Sequence, residues 1–221
     1  AGGDFYTVRI WDLATHKVLR DFHAHWSRIC SLTFSRDGKA LITASNDNTT
    51  RVWSVADLPG SPDSQPILPS PRATFIVHKD WSMWSAFSGE AGGLLAAVGI
   101  VPFELQVWNL RDFSRVGKFR IKQDDGEYMC QQSMAFTPND NTLVMCLSRT
   151  GKPQIALLDP VKHVQSPRFE PGSVATDMKS FSLTRIALSQ DGAALAVGSE
   201  GEGLISLIDM GTHKTHWCVS S

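Results

Sequence analysis

The fold of this chain is decided by residues 25–53, which read HWSRICSLTFSRDGKALITASNDNTTRVW. Short runs in which apolar and polar side chains alternate are separated by turn-forming residues such as Asp37-Gly38. An alternation with a period of two residues is typical of β-strands, and Asp-Gly turns connect antiparallel strands. Residues 25–53 are therefore predicted to form consecutive antiparallel strands, the last of which ends near Trp53.

The same unit recurs along the chain. A two-residue position resembling Trp-Asp returns at intervals of 42, 55, 50 and 50 residues, close to the ~40–45-residue period of β-propeller repeats. A β-sandwich also has many short strands, but it does not explain why the Trp-Asp-like position recurs at such regular intervals. A helical solenoid would show apolar residues with a period of 3.6 rather than two residues. The recurring positions are Trp11-Asp12, Trp53-Ser54, Trp108-Asn109, Leu158-Asp159 and Ile208-Asp209.

We predict an all-β fold, a β-propeller of four-stranded blades of which about four and a half are present. Residues 1–23 are expected to supply only the third and fourth strands of a first blade. The spacing resembles that of seven-bladed WD-repeat propellers, and this resemblance implies that the missing blades come from the rest of a longer protein, since a propeller must close on itself. A compact five-bladed ring, closed by residues 1–23, is the alternative. The other predicted blades are residues 24–77, 78–121, 122–170 and 171–221, with a solvated Pro/Ser-rich loop at 56–72.

The composition gives no sign of nucleic-acid, membrane or metal binding. Lys plus Arg (21) nearly balance Asp plus Glu (22), so no global field would attract nucleic acid or an anionic membrane. The longest apolar stretch, residues 94–103, is about half of the ~20 residues that a membrane-spanning helix needs. The 4 cysteines are scattered, and no His/Cys group has the spacing of a metal site. We expect no cofactor, no metal and a cytoplasmic or nuclear location.

These repeats resemble the WD-repeat (WD40-type) family over essentially the whole chain, and most clearly over residues 25–53. In that family a His before the innermost strand, a Ser or Thr on the second strand, an Asp in the next turn and a Trp on the third strand form a buried hydrogen-bonded set. A buried indole N–H needs an acceptor, and an Asp can fix the tautomer of an imidazole. The resemblance implies this structural role for His25, Thr43 or Ser45, Asp47 and Trp53, and a partial set with His78 and Trp108 in the next unit.

The resemblance also implies a function. Family members generally bind proteins or peptides on the face near the central channel, through side chains at the entry to each innermost strand. We predict a non-catalytic scaffold for protein–protein interaction within a larger complex. An enzymatic propeller would place paired carboxylates or a metal set in the channel, and no such set recurs in register in this sequence. The candidate partner-binding residues are Trp26, Arg28, Lys79, Trp81, Cys130 and Ser182.

Two narrower functions are alternatives. Residues 108–111, Trp-Asn-Leu-Arg, resemble the Trp-Asp-x-Arg motif through which some family members dock onto a cullin ubiquitin-ligase adaptor, although Asn109 replaces the Asp. That resemblance implies a substrate-receptor subunit. The irregular later units resemble a propeller that acts as the exchange factor for a small GTPase, although no segment matches the catalytic loop of that family.

Overall fold

Antiparallel β-strands account for nearly all the regular secondary structure of the computed structural model. The one helical element in the described part of the chain is a single 3-10 turn at Val55–Asp57. No helix among the described residues is long and apolar enough to cross a membrane. The structure describes residues 6–35, 37–59, 69–76, 82–88, 93–99, 104–120, 129–138, 141–149, 152–166, 182–200 and 205–219.

The first two sheets cover the N-terminal third of the chain. Strands β1 and β2 form a two-stranded antiparallel sheet, and β3 to β6 form a four-stranded sheet in the order β3-β4-β5-β6. Each strand therefore pairs with its neighbour in sequence, as in a meander. The strands are β1 (Thr7–Trp11), β2 (Val18–His23), β3 (Ile29–Phe34), β4 (Ala40–Ser45), β5 (Thr49–Ser54) and β6 (Ala73–Ile76).

Three further sheets repeat this meander, each with four antiparallel strands in sequence order. The first contains β7 (Ser82–Phe87), β8 (Leu94–Gly99), β9 (Glu104–Asn109) and β10 (Arg115–Arg120). The second contains β11 (Met129–Phe136), β12 (Leu143–Arg149), β13 (Lys152–Asp159) and β14 (Val164–Gln165). The third contains β15 (Ser182–Leu188), β16 (Ala194–Glu200), β17 (Ile205–Asp209) and β18 (Thr215–Val219).

The hydrophobic core lies between successive sheets rather than within one of them. The alternating apolar residues of the second and third strands point from each sheet towards the next, as face-to-face packing of sheets requires. One cluster joins Ile42 and Val52 of one sheet to Leu95 and Trp108 of the next. Equivalent clusters join the first sheet to the second, the third to the fourth and the fourth to the fifth. This side-by-side packing is how propeller blades are held together.

The first strands of the four-stranded sheets lie next to one another, with β3 against β7, β7 against β11, and β11 against β15. Each of them carries a register irregularity near its start, between residues 29 and 31, 82 and 84, 130 and 134, and 183 and 185. A bulge of this kind bends the strand and re-aims the side chains next to it. These innermost strands therefore share both their position and a local distortion.

The predicted all-β class with four-stranded blades is confirmed, because four antiparallel four-stranded sheets follow one another. The points at which one unit passes to the next, near residues 77, 121 and 170, lie outside the described residues and remain predictions. One part of the predicted solvated loop at 56–72 is wrong. Leu58 is 6% exposed and packs in the cluster that contains Phe22 and Trp53, because the 3-10 turn directs the chain back onto the sheet.

Candidate functional site

A buried chain of hydrogen bonds joins four of the predicted residues in the second sheet. The Nε1–H of Trp53 donates to the hydroxyl of Thr43 at 3.0 Å, and that hydroxyl lies 2.5 Å from Nε2 of His25. On its other side, Nδ1 of His25 lies 2.9 Å from Oδ2 of Asp47. A carboxylate only accepts hydrogen bonds, so His25 donates from Nδ1, and in the neutral ring Nε2 accepts from Thr43. The network thus connects the loop before β3 to β4, to the following turn and to β5.

Asp47 organises the turn between β4 and β5. Its carboxylate accepts hydrogen bonds from the backbone N–H groups of Trp26 and Thr49, both at 3.0 Å, and from the Thr49 hydroxyl at 2.6 Å. Burial alone would raise the pKa of Asp47, but the hydrogen bonds from His25, Thr49 and the Trp26 backbone together hold it well below its usual range. The Arg51 guanidinium, 3.7 Å away, adds positive charge. Asp47 is therefore a permanent anion at neutral pH.

Ser45 has a different role from Thr43, although the sequence allowed either residue to complete the network. Its hydroxyl donates to the carbonyl of Ser27 at 3.1 Å and accepts the N–H of Asp47 at 3.1 Å. Thr43 makes the contacts to His25 and Trp53. Both hydroxyls are fully buried, and together they fix the loop that precedes β3 from two sides.

The network stabilises the sheet, because its groups are buried away from solvent. The His25 side chain is 0% exposed and Trp53 is 1% exposed. The Trp53 ring packs edge-on against Phe22, with centroids 5.1 Å apart, and against His25 at 6.5 Å. A His, an Asp and a hydroxyl in a row resemble a catalytic triad in composition, but no substrate atom could approach the buried Thr43 oxygen.

The third sheet contains a charged pair on the strand that carries Trp108 and on the strand next to it. Trp108 is 6% exposed and packs on Phe75 of the neighbouring sheet, with ring centroids 4.8 Å apart. Four residues before it, the 3%-exposed Glu104 accepts a salt bridge from Lys118 Nζ at 2.8 Å and a hydrogen bond from Gln106 at 3.3 Å. His78, the other predicted member, lies outside the described residues. Sequence analysis missed Glu104, whose signal was a lone carboxylate in an apolar strand with a lysine on the next one.

The remaining sheets are held at this position by apolar packing. Leu158 is 4% exposed among residues of the third and fourth sheets, and Ile208 is fully buried among residues of the fourth and fifth. Trp11, by contrast, is 36% exposed and lies beneath the Arg9 guanidinium, 5.7 Å from its ring centroid. Among the described residues its sheet has two strands, so less of the indole is covered than in Trp53.

Two of the predicted partner-binding residues are exposed on the loop from β2 to β3. Trp26 is 73% exposed, and Arg28 is exposed two residues later. The backbone of this loop is fixed, since Trp26 N–H donates to Asp47 and the Arg28 carbonyl accepts from the Asn46 N–H at 2.9 Å. Next to them, burial raises the pKa of the Cys30 thiol, an effect that the nearby Arg28 charge opposes.

The structure does not describe the side chains of the other four predicted partner-binding residues. Cys130 lies on β11 and Ser182 begins β15, which places both on innermost strands, but their side chains fall outside the described part of the structure. Lys79 and Trp81 lie outside the described residues altogether. The structure thus shows Trp26 and Arg28 exposed on one loop, and the other four residues remain predictions.

The fold and the network together define a protein built from propeller blades. A family model described as "WD domain, G-beta repeat" matches residues 16–54, which include the whole network. The chain is 43% identical over 123 residues to the U3 small nucleolar RNA-associated protein 21 homolog of Schizosaccharomyces pombe, covering 55% of this chain and 12% of that protein. It is 31% identical over 106 residues to apoptotic protease-activating factor 1 of Rattus norvegicus, covering 48% and 7% respectively.

A third relative is WD repeat and SOCS box-containing protein 1 of Danio rerio, which is 33% identical over 93 residues, 42% of this chain and 19% of that protein. The family-model match and these relatives support the resemblance to the WD-repeat family that the sequence indicates. It spans less than a fifth of the length of each of these three relatives.

Proposed function

We propose that this chain is an interaction scaffold that binds a partner protein or peptide on the face formed by the loops entering its innermost strands. The observation that supports this most is the 73% exposure of Trp26, two residues before the exposed Arg28. Trp and Arg are the residues most enriched at the energetic centres of protein interfaces, where they lose contact with water on binding. Burial of the solvent-exposed Trp26 indole by a partner would therefore favour binding.

The rigidity of this loop supports the same proposal. Asp47 accepts the Trp26 backbone N–H, His25 donates to Asp47 from the interior, and Thr43 donates to His25 in turn. A partner that binds a loop already fixed in place loses less conformational entropy than one that must order it. The buried network thereby serves binding indirectly, by positioning Trp26.

Site-specific photo-crosslinking tests the proposal. A photoreactive amino acid is placed at position 26 in cells, and in a matched control at position 13. Leu13 is 88% exposed, but it lies in the turn at the opposite end of β2 from Trp26. We expect discrete crosslinked partners from position 26 and few from position 13. Equal crosslinking from both positions would contradict the proposed face.

A second candidate, the substrate-receptor subunit of a cullin-type ubiquitin ligase, has support from one local feature. Arg111 is exposed in the turn after β9, and its backbone is fixed by a 2.9 Å hydrogen bond to the Asn109 side chain. Trp108 of the same motif is buried, so Arg111 is the member accessible to an adaptor. Direct binding of a purified cullin adaptor to the wild-type chain, and its loss in Arg111→Ala, would favour this function over a general scaffold.

A further inference from the structure

Ser70 stands in an exposed segment that ends the Pro/Ser-rich loop at 56–72 and leads into β6. The residue is exposed, and residues 69–71 have no regular secondary structure. Pro71 restricts the residue before it to extended backbone conformations and has no N–H of its own. Among the described residues of this segment, pairing with β5 begins at Arg72, whose N–H donates to the Val52 carbonyl at 2.7 Å. Ser70 is thus presented to solvent on an extended segment.

The edge of the sheet next to Ser70 is accessible as well. In the strand order β3-β4-β5-β6, β6 lies at the opposite edge from β3 and from the loop that carries Trp26. Thr74 and Ile76 of β6 are both exposed, Ile76 at 77%, so an enzyme can approach this edge from solvent. The segment is therefore separate from the proposed scaffold face.

A cation stands two residues after Ser70. The Arg72 guanidinium lies over the ring of Phe113 in the third sheet, 5.7 Å from the ring centroid. Phe113 in turn packs against Phe75 of β6, with ring centroids 6.2 Å apart. A guanidinium stacked on a ring still has N–H groups in its own plane, and these groups match the oxygens of a phosphate. Because Cα atoms two residues apart are separated by at most about 7 Å, Arg72 can reach a phosphoryl group on Ser70 while it stays on Phe113.

We propose that Ser70 is a phosphorylation site for a proline-directed protein kinase, and that Arg72 binds the phosphoryl group once it is attached. The Ser70 Oγ attacks the γ-phosphorus of ATP, and the new O–P bond forms as the bond from that phosphorus to the bridging oxygen of ADP breaks. ADP leaves with the electron pair, and the serine proton passes to the catalytic carboxylate of the kinase.

The modification adds about 1.5–2 negative charges and three acceptor oxygens at the boundary between the second and third sheets. A phosphate bound by Arg72 fixes the end of the Pro/Ser-rich loop to that residue and, through Phe113, to the turn between β9 and β10. Phosphorylation therefore orders the entry to β6.

Ser166 provides a matched comparison within the chain, because residues 166–168 also read Ser-Pro-Arg. Ser166 is exposed too, but its own N–H donates to the Leu157 carbonyl at 3.0 Å and so continues the pairing of β13 with β14. A kinase must detach that backbone before it can bind the segment, whereas Ser70 precedes the pairing of β6. The two sites have the same local sequence, so a difference between them comes from the fold.

The test incubates the folded chain with ATP and either a purified mitogen-activated protein kinase or a purified cyclin-dependent kinase, which are both proline-directed, and follows each serine by mass spectrometry. Short peptides around Ser70 and Ser166 give the ratio of rates without the fold. Relative to that ratio, we expect Ser70 in the folded chain to react at least about fivefold faster than Ser166, the factor for opening one backbone hydrogen bond.

Variants make the test specific. Pro71→Ala should remove phosphorylation at Ser70, and Ser114, which is exposed but followed by Arg115, should stay unmodified in the same samples. The inference is overturned if neither kinase modifies Ser70 in the folded chain, or if Ser166 reacts as fast as Ser70 once the peptide ratio is taken into account.

NMR tests the role of Arg72. Phosphorylation should shift the Nε–Hε signal of Arg72 and leave that of the exposed Arg28, beside β3 at the opposite edge of the sheet, unchanged. In Arg72→Gln a non-specific phosphatase should remove the phosphate about two- to fivefold faster, the range for an exposed ion pair. An unmoved Arg72 signal together with unchanged dephosphorylation would overturn the assignment of Arg72.

Discussion

Replacing Thr43 with valine removes the hydroxyl that connects the two halves of the buried network while keeping nearly the same shape. The Trp53 Nε1–H and the His25 Nε2 would both lose their partner at a site with 0% exposure. A buried polar group left without a hydrogen bond costs about 1–3 kcal/mol, and water cannot reach either one without opening the sheet. We expect Thr43→Val to lower the free energy of unfolding by about 2–4 kcal/mol.

Thr43→Ser is the matched control, since it keeps the hydroxyl and removes one methyl group. Its expected cost is about 1 kcal/mol, from the lost apolar burial and the small cavity left behind. Urea unfolding followed by circular dichroism measures both variants. With a slope of about 1–3 kcal/mol per M, Thr43→Val should lower the midpoint by at least about 0.7 M relative to wild type.

A double-mutant cycle shows whether the hydrogen bond itself is responsible. Trp53→Phe removes the indole N–H, so Thr43→Val should cost about 1–2 kcal/mol less in that background than in the wild type. The reasoning is refuted if Thr43→Val is no more destabilising than Thr43→Ser, or if the cost of Thr43→Val is the same with and without the indole.

Three further predictions concern pH, charge and backbone strain. Because the pKa of Asp47 is lowered on folding, the unfolded chain takes up this proton before the folded protein does as pH falls below about 4. The stability advantage of wild type over Asp47→Asn, measured by urea unfolding, should therefore shrink between pH 5 and pH 3. A difference independent of pH would contradict the lowered pKa. Lys118→Met leaves the buried Glu104 without its cation and should lower the free energy of unfolding by about 1–3 kcal/mol at pH 7. The Glu104→Gln/Lys118→Met double variant should recover part of that loss. If it recovers none, the salt bridge is not the cause. His16 and His213 are exposed with φ of 56° and 57°, so changing either to Gly should raise the free energy of unfolding by about 0.5–1 kcal/mol, and a drop on both changes would contradict the strain argument.

The fold could be predicted from the sequence because its signals are local. An Asp-Gly turn, a strand of period two and a Trp-Asp-like position each involve only a few neighbouring residues, and they recur in the same order. The hydrogen-bonding partners of Trp53 are less local, and the sequence left Thr43 and Ser45 as alternatives. The two lie on the same face of β4, and only the conformation of the loop carrying His25 decides which hydroxyl its ring reaches.

Other features depend on contacts between sheets that no short pattern records. The pairing of Glu104 with Lys118 requires the register of β9 and β10, which shifts between Arg115 and Gly117. The burial of Leu58 requires the 3-10 turn that returns the chain to Trp53 and Phe22. The Pro/Ser-rich composition of residues 56–72 is typical of a solvated loop, but Leu58 within it packs in the core.

A cleft of about 240 Å³ between β3, β7, β11 and β15 is a feature that sequence alone could not reveal. Ser31, Ser85, Ser133 and Arg185 are contributed by four different repeats and look unremarkable within each strand. They line one cleft only because the four innermost strands lie side by side. The predicted face residues Trp26 and Arg28 could be found earlier, because the entry to an innermost strand has a fixed place in each repeat.

The central claim, that the loop carrying Trp26 and Arg28 binds a partner, is tested most directly by the dissociation constant of a partner captured from position 26. The measurement compares wild type, the double variant Trp26→Ala/Arg28→Ala and the exposed control Leu13→Ala, with equal melting temperatures as proof of folding. Loss of a Trp and an Arg from the centre of an interface should weaken binding by about thirtyfold or more, while Leu13→Ala should bind as wild type does. Equal dissociation constants for all three proteins would contradict the account.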